Sequence, residues 1–177
     1  LWELSPKAVI PAIEVLVAAI FEMAERKTGA LLVFPGKDDL DEEIQRGIPW
    51  KGEVSKEMVM SIFWPGNPVH DGAAIIEGNR IREVGAILPL SHRDDLPTRY
   101  GTRHRAALGL AEATDALIVV VSEERGDILV AKNAEIKEVK QKQRLNKLLQ
   151  EHMGVRAAPQ KRFLWRKEQL ETLTAAL

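Results

Sequence analysis

Apolar residues recur along the chain in two rhythms, one helical and one continuous or alternating, and together they lay out its elements. Val9, Ile10, Ile13, Leu16, Val17, Ile20, Phe21 and Met23 are spaced as on a helix, which predicts one over residues 6–27 with Pro6 in its first turn. Around residues 15–20 more than one face is apolar, so a covering by the domain or by another subunit is expected. Thr28-Gly29 ends this helix, and residues 30–34 (Ala-Leu-Leu-Val-Phe) read as a buried strand closed by Pro35-Gly36. The acidic stretch 37–46 reads as a solvated helix face or loop. Ser55 is placed to cap a helix whose buried stripe is Met58, Val59, Ile62 and Phe63.

Pro65-Gly66-Asn67-Pro68 then breaks the chain ahead of a strand at 73–76, a turn at Gly78-Asn79 and a return strand at 81–88. A polar loop over 91–100 leads into a helix over 102–114, whose small residues Ala106, Ala107, Gly109 and Ala111 allow close packing on a sheet. Residues 116–121 form the most apolar strand, and a neighbour returns over 127–131, with a short strand at 136–139. An amphipathic helix over 140–153 buries Leu145, Leu148 and Leu149 and ends at Gly154. A linker over 155–160 and a second tail helix over 163–177 follow. Hairpins mixed with crossovers predict an α/β or α+β domain, a twisted mixed sheet flanked by helices. The domain is expected over 1–140, with a helical tail over 141–177.

Composition narrows the class. The 177 residues suffice for one domain with a proper core, and 45% hydrophobic with 29% charged residues is globular. A net charge of −1 gives no global basic field for nucleic acid, and the four tryptophans have no basic stripe beside them, so they read as packing or interface residues. Cysteine is absent, which removes disulfides and thiolate metal sites and suits a reducing compartment. No apolar run reaches bilayer-spanning length. The chain starts at Leu1 and is expected to be a piece of a longer protein.

Three polar corners adjoin buried elements. His70-Asp71-Gly72-Ala73 precedes a strand, offering an imidazole, a carboxylate and a glycine that permits close backbone approach. Gly101-Thr102-Arg103-His104-Arg105 opens a helix, where unpaired N–H groups and the dipole favour anions. Thr102 there either caps the helix or bonds a phosphate, while Arg103 and Arg105 either clamp phosphate oxygens or face solvent. Ser122-Glu123-Glu124 follows the most apolar strand and, alone, reads as a charged turn. If the corners converge, His70 or Asp71 with Glu123 or Glu124 would offer ligands for Mg²⁺ or Mn²⁺ beside a phosphate cradle. The residues alone therefore point to binding of a nucleotide or phosphorylated ligand, with no choice of reaction. His92 and His152 fit no pattern and read as loop or surface histidines.

These motifs resemble the diadenylate cyclase domain family. The resemblance rests on Asp71-Gly72-Ala73 and Arg103-His104-Arg105, the family's hallmarks in order. Leu88-Pro89-Leu90-Ser91, Thr114-Asp115-Ala116 and Val121-Ser122-Glu123-Glu124 add to it, as do Ser61-Ile62-Phe63 and Thr28-Gly29-Ala30-Leu31. It runs from about residue 9 to 136 and is nearest to the membrane-anchored housekeeping class. It implies condensation of two ATP into cyclic di-AMP with release of two pyrophosphates, using Mg²⁺, Mn²⁺ or Co²⁺. It implies Asp71, Gly72 and Ala73 at the ribose and 3′-hydroxyl, and Thr102, Arg103, His104 and Arg105 at the triphosphate with Ser122 and Glu123 near. His70, Asp71 and Glu124 would lie at the metal, and Leu88 against adenine. It also implies a face-to-face homodimer and a cytoplasmic domain, tethered to the membrane or met by a regulator through segments outside this sequence. The sequence departs from the family at Arg125, where threonine is familiar, and at Leu129, often serine. The competing class is a silent nucleotide sensor, against which intact Asp71, Arg103 and His104 argue. A DNA-scanning form would need a further basic region, which this sequence does not carry.

Overall fold

The computed structural model describes residues 6–155. Seven strands form one sheet, β1 (Ala30–Phe34), β2 (Ile48–Glu53), β3 (Ala73–Glu77), β4 (Arg80–Ala86), β5 (Leu117–Val121), β6 (Ile128–Lys132) and β7 (Glu135–Glu138), in the spatial order β2-β4-β3-β1-β5-β6-β7. Only β1 and β3 pair in parallel, with Leu32 opposite Ala74; every other pairing is antiparallel. The mixed α/β sheet expected from the sequence is the sheet observed.

Helices cover both faces, which is why β1 and β5 are apolar at every position. Ala30, Leu32 and Phe34 of β1, with Leu117, Val119 and Val121 of β5, join one core with α1 (Pro6–Glu25), α2 (Lys56–Ile62) and α4 (Lys142–His152). Leu31, Val33, Ile118 and Val120 point the other way, onto Ala106, Ala107, Leu110 and Ala111 of α3 (Thr102–Ala113). Strand periodicity of two thus splits one hydrophobic run between two cores. Ser55 caps α2 as expected, its Oγ accepting from the Met58 N–H at 3.1 Å. Small residues let α3 lie close to the chain leaving β4: a Cβ at Gly109 would fall 2.1 Å from the Pro89 carbonyl oxygen.

One strand is missing from the sequence reading. Strand β2 has no apolar rhythm: it is exposed or half-buried throughout, carries Pro49 and Gly52, and shifts register between them. An edge strand tolerates these because one side of its ladder faces solvent. The acidic stretch is a turn, the loop alternative of its sequence reading. It is fastened by buried Leu40 and Ile44, by Asp41 pairing with Arg46 and Arg82, and by Asp115, which accepts from the N–H groups of Lys37 (2.8 Å) and Asp38 (3.0 Å). Helix α4 lies against α1, with Leu145 and Leu149 fully buried in the shared core.

Gly154 sits one residue past the α4 cap at φ 68°, and the Val155 N–H returns to the Gln150 carbonyl. His152 is half-buried rather than a loop residue. Its Nε2 donates to the Phe34 carbonyl at 2.8 Å, tying the end of α4 to the end of β1. Trp50 and Trp64 are exposed, so neither is a core residue. The second tail helix, Trp2 and Trp165 lie outside the described residues. Among the described residues no helix is long and apolar enough to cross a membrane.

Candidate active site at the amino ends of the parallel pair

A cleft of about 390 Å³ opens at one end of the central strands, within the range of small-molecule sites. Open α/β sheets usually bind ligands beyond the carboxyl ends of parallel strands. Here the cleft is at the opposite end, beside Leu31 at the start of β1 and Asp71-Gly72 just before β3. Antiparallel β4 and β5 finish at that end, delivering Leu88 and Ser122-Glu123-Glu124. The connection after β4 then brings the amino end of α3 there too. The three polar corners of the sequence therefore do converge.

Buried Leu31, Ala86, Leu88, Ala106 and Val121 make an apolar floor. Above it Arg103 joins the other two corners. Its Nη1 donates to Glu123 Oε2 at 2.9 Å, and its Nη2 lies 3.7 Å from Asp71 Oδ1. The Arg103 side chain is 19% exposed, whereas Asp71 is 87% exposed and Glu123 61%. The cation is thus built into the wall while both carboxylates stand in the opening. Gly29 makes the pairing fit, since a Cβ there would fall 2.8 Å from Arg103 Nη1 and 3.0 Å from Glu123 Oε2.

Thr102 does not cap α3; Gly101 holds that position in extended conformation, and Thr102 is the first helical residue, exposed at the cleft. The Gly101 N–H donates to His104 Nδ1 at 3.1 Å, which assigns the ring proton to Nε2. His104 is buried, and burial pushes its pKa below the ordinary imidazole value, against the pull of Asp127 and Glu124. It is therefore a neutral brace for the helix start rather than a cationic clamp. Ser122 is buried beside it, its Oγ accepting from the Arg125 N–H at 3.4 Å.

Of the expected site residues, Asp71, Gly72, Leu88, Thr102, Arg103, His104, Ser122, Glu123 and Glu124 line the cleft. His70, Ala73 and Arg105 do not. His70 Nδ1 donates to the Asn67 carbonyl at 2.6 Å, shaping the turn before Asp71. Ala73 is fully buried in β3. Arg105 turns away from the opening and donates to the carbonyls of Ser91 (3.3 Å) and Arg93 (3.1 Å), fixing the loop after β4. The close neighbour that Gly72 admits is the protein itself: a Cβ there would lie 2.6 Å from Gly85 Cα in β4.

Among the described residues no three His, Asp or Glu side chains are gathered into a metal-binding group, so His70, Asp71 and Glu124 are not preassembled as one. The cleft nevertheless offers Asp71, Glu123 and Glu124 as oxygen donors. That set fits a hard divalent cation of the Mg²⁺ kind, which takes one or two carboxylates and completes its shell with phosphate and water. Arg99 and Ile87 also line the cleft without a motif to mark them, and Leu31 and Leu90 line it from quoted motifs that assigned them no role. Leu31 was legible as an alternate position of β1. Arg99 was one charge among several in a polar loop.

An apolar floor, a basic helix start and carboxylates at the rim suit the cleft to a ligand with an apolar part and an anionic one. Residues 17–136 match the family described as DisA bacterial checkpoint controller nucleotide-binding, and the chain belongs to that family. It is 38% identical over 156 residues to the cyclic di-AMP synthase CdaA of Bacillus subtilis, covering 87% of this chain and 57% of that protein. It is 42% identical over 127 residues to a diadenylate cyclase of Listeria monocytogenes, covering 72% of this chain and 46% of the relative. The chain thus spans about half the length of these curated relatives. Among solved structures, a double mutant of DacA from Staphylococcus aureus superposes with a TM-score of 0.77 at 38% identity, covering 81% of this chain and 95% of that one.

Proposed function

We propose that this chain is a diadenylate cyclase that joins two ATP molecules into cyclic di-AMP and releases two pyrophosphates. The observation that carries the proposal is the meeting of Asp71, Arg103 and Glu123 above an apolar floor at the amino end of α3. Family membership and the names of the relatives support it. ATP would lay its adenine against Leu88 and Leu31 and its triphosphate at the start of α3. There the free backbone N–H groups, the Thr102 hydroxyl and Arg103 favour anionic oxygens.

The 3′-oxygen of each ATP would attack the α-phosphorus of the other. One phosphorus–oxygen bond forms as the bond to the bridging oxygen of the departing pyrophosphate breaks. Asp71 is the exposed carboxylate at the opening and would accept the hydroxyl proton. Arg103 would turn from the carboxylates to the phosphoryl oxygens, where charge develops. A divalent cation held by Asp71, Glu123 or Glu124 would neutralise phosphate charge and help ionise the hydroxyl. Each cleft holds one nucleotide, so two copies would face one another across a two-fold axis. The cytoplasm, where ATP is held, would be the compartment.

The test is Asp71→Asn, followed by chromatography of nucleotide products and by calorimetry with ATP. Loss of product with ATP binding retained is expected; product formed at the wild-type rate contradicts the assignment. A silent sensor would bind ATP without product in the wild type as well.

A further inference from the structure

The amino end of α3 is held by a side chain outside the cleft. The Tyr100 ring stacks on the His104 imidazole with centroids 4.8 Å apart and planes within 8°. The guanidinium carbon of Arg99 lies 5.5 Å from the same tyrosine ring centroid. Tyr100 does not line the cleft, whereas Arg99, Gly101, Thr102, Arg103 and His104 all do. Its backbone is fixed by its N–H donating to the Pro97 carbonyl at 2.9 Å, and its side chain is half-buried against the α3-side core. One aromatic ring thus touches both the imidazole that braces Gly101 and a cation on the cleft wall. Among the described residues that cation has no carboxylate within ion-pairing distance.

We propose that Tyr100 is a positioning residue for phosphate recognition. It fixes the His104 ring so that Nδ1 takes the Gly101 N–H, and it seats Arg99 at the cleft as a second cation beside Arg103. The physical basis is the geometry itself. An imidazole left to rotate loses its alignment with Gly101, and the N–H groups of the first turn of α3 then no longer point at one anion site. A cation over an aromatic face is also held in place without a carboxylate that would compete with phosphate for it. The ring, and not the hydroxyl, makes both contacts. The inference deepens the proposed function by adding residues that position the triphosphate.

The experiment uses the 177-residue chain with inorganic pyrophosphate and ATP as calorimetric probes and with cyclic di-AMP formation as the kinetic one. Tyr100→Phe keeps the ring, Tyr100→Leu keeps bulk without a ring face, and Arg99→Ala removes the second cation alone. Tyr100→Leu is expected to weaken pyrophosphate binding and raise the KM for ATP about three- to tenfold, the scale of one aromatic pair, with a smaller change in kcat. Tyr100→Phe is expected to restore both, and Arg99→Ala to reproduce part of the loss. Pyrophosphate binding by Tyr100→Leu equal to wild type overturns the inference, as does a Tyr100→Phe variant as weak as Tyr100→Leu. A melting temperature for Tyr100→Leu close to wild type separates misplacement from unfolding. If that variant melts early, retained pyrophosphate binding by folded Arg99→Ala overturns the inference, and its loss supports it. A wild type that binds pyrophosphate but makes no cyclic di-AMP defeats the cyclase reading and leaves the binding comparison intact.

Discussion

Arg103 and Glu123, twenty positions apart, meet at 2.9 Å where the start of α3 crosses the end of β5. The pair closes the cleft electrostatically, since the arginine is also within 3.7 Å of Asp71 and so stands between two carboxylates. A bound triphosphate would take over that place. An arginine already desolvated in the wall and held by its neighbours needs little reorganisation to meet phosphate charge.

Arg103→Lys keeps the charge but loses the planar fork that reaches Glu123 and Asp71 from two nitrogens. The expected result is a fall in kcat/KM on the order of a hundredfold, with the melting temperature near wild type. Steady-state kinetics with ATP measures it, and near-normal kinetics would remove Arg103 from the phosphate site.

Leu145 is fully buried between α4 and the α1 side of the sheet. Leu145→Ala is expected to cost about 2–5 kcal/mol, read by urea unfolding monitored by circular dichroism. A cost near zero, or a separate early transition, would mean that α4 unfolds independently of the sheet.

His104 and His152 both titrate below the ordinary imidazole value, chiefly because burial disfavours their charged forms. The unfolded chain then binds more protons than the native one as acidity rises past about pH 6.5, the ordinary imidazole value. Their stabilising contribution is complete above that pH and is lost as pH falls through the lower folded values. Melting temperature is expected to drop as pH falls below about 6.5, and less steeply in His152→Gln. An unchanged slope in that variant would show that His152 is not part of the acid sensitivity.

The sequence made the strands with two buried faces plain, because continuous apolar runs such as Leu117–Val121 have few other homes. Strand β2 was invisible since its pairing depends on backbone alone, with Pro49 and Gly52 in a solvent-facing edge. The chemical residues were legible as types and motifs, yet their orientation was not. Arg105 and Arg103 are two positions apart on one helix, so they project in different directions. One reaches the cleft, and the other bonds the carbonyls of Ser91 and Arg93. His70 adjoins Asp71 and is spent on a turn. The role of His152, joined to Phe34 across 118 positions, depends on a contact that no local pattern encodes.

The most direct measurement is chromatography of nucleotide products after incubating the chain with ATP and Mn²⁺, then Mg²⁺, over a range of protein concentrations. Cyclic di-AMP with pyrophosphate is predicted, at a rate rising faster than in proportion to protein while paired clefts are scarce. ATP bound without product, or a rate strictly proportional to protein down to fully dissociated chains, would contradict catalysis across two facing clefts.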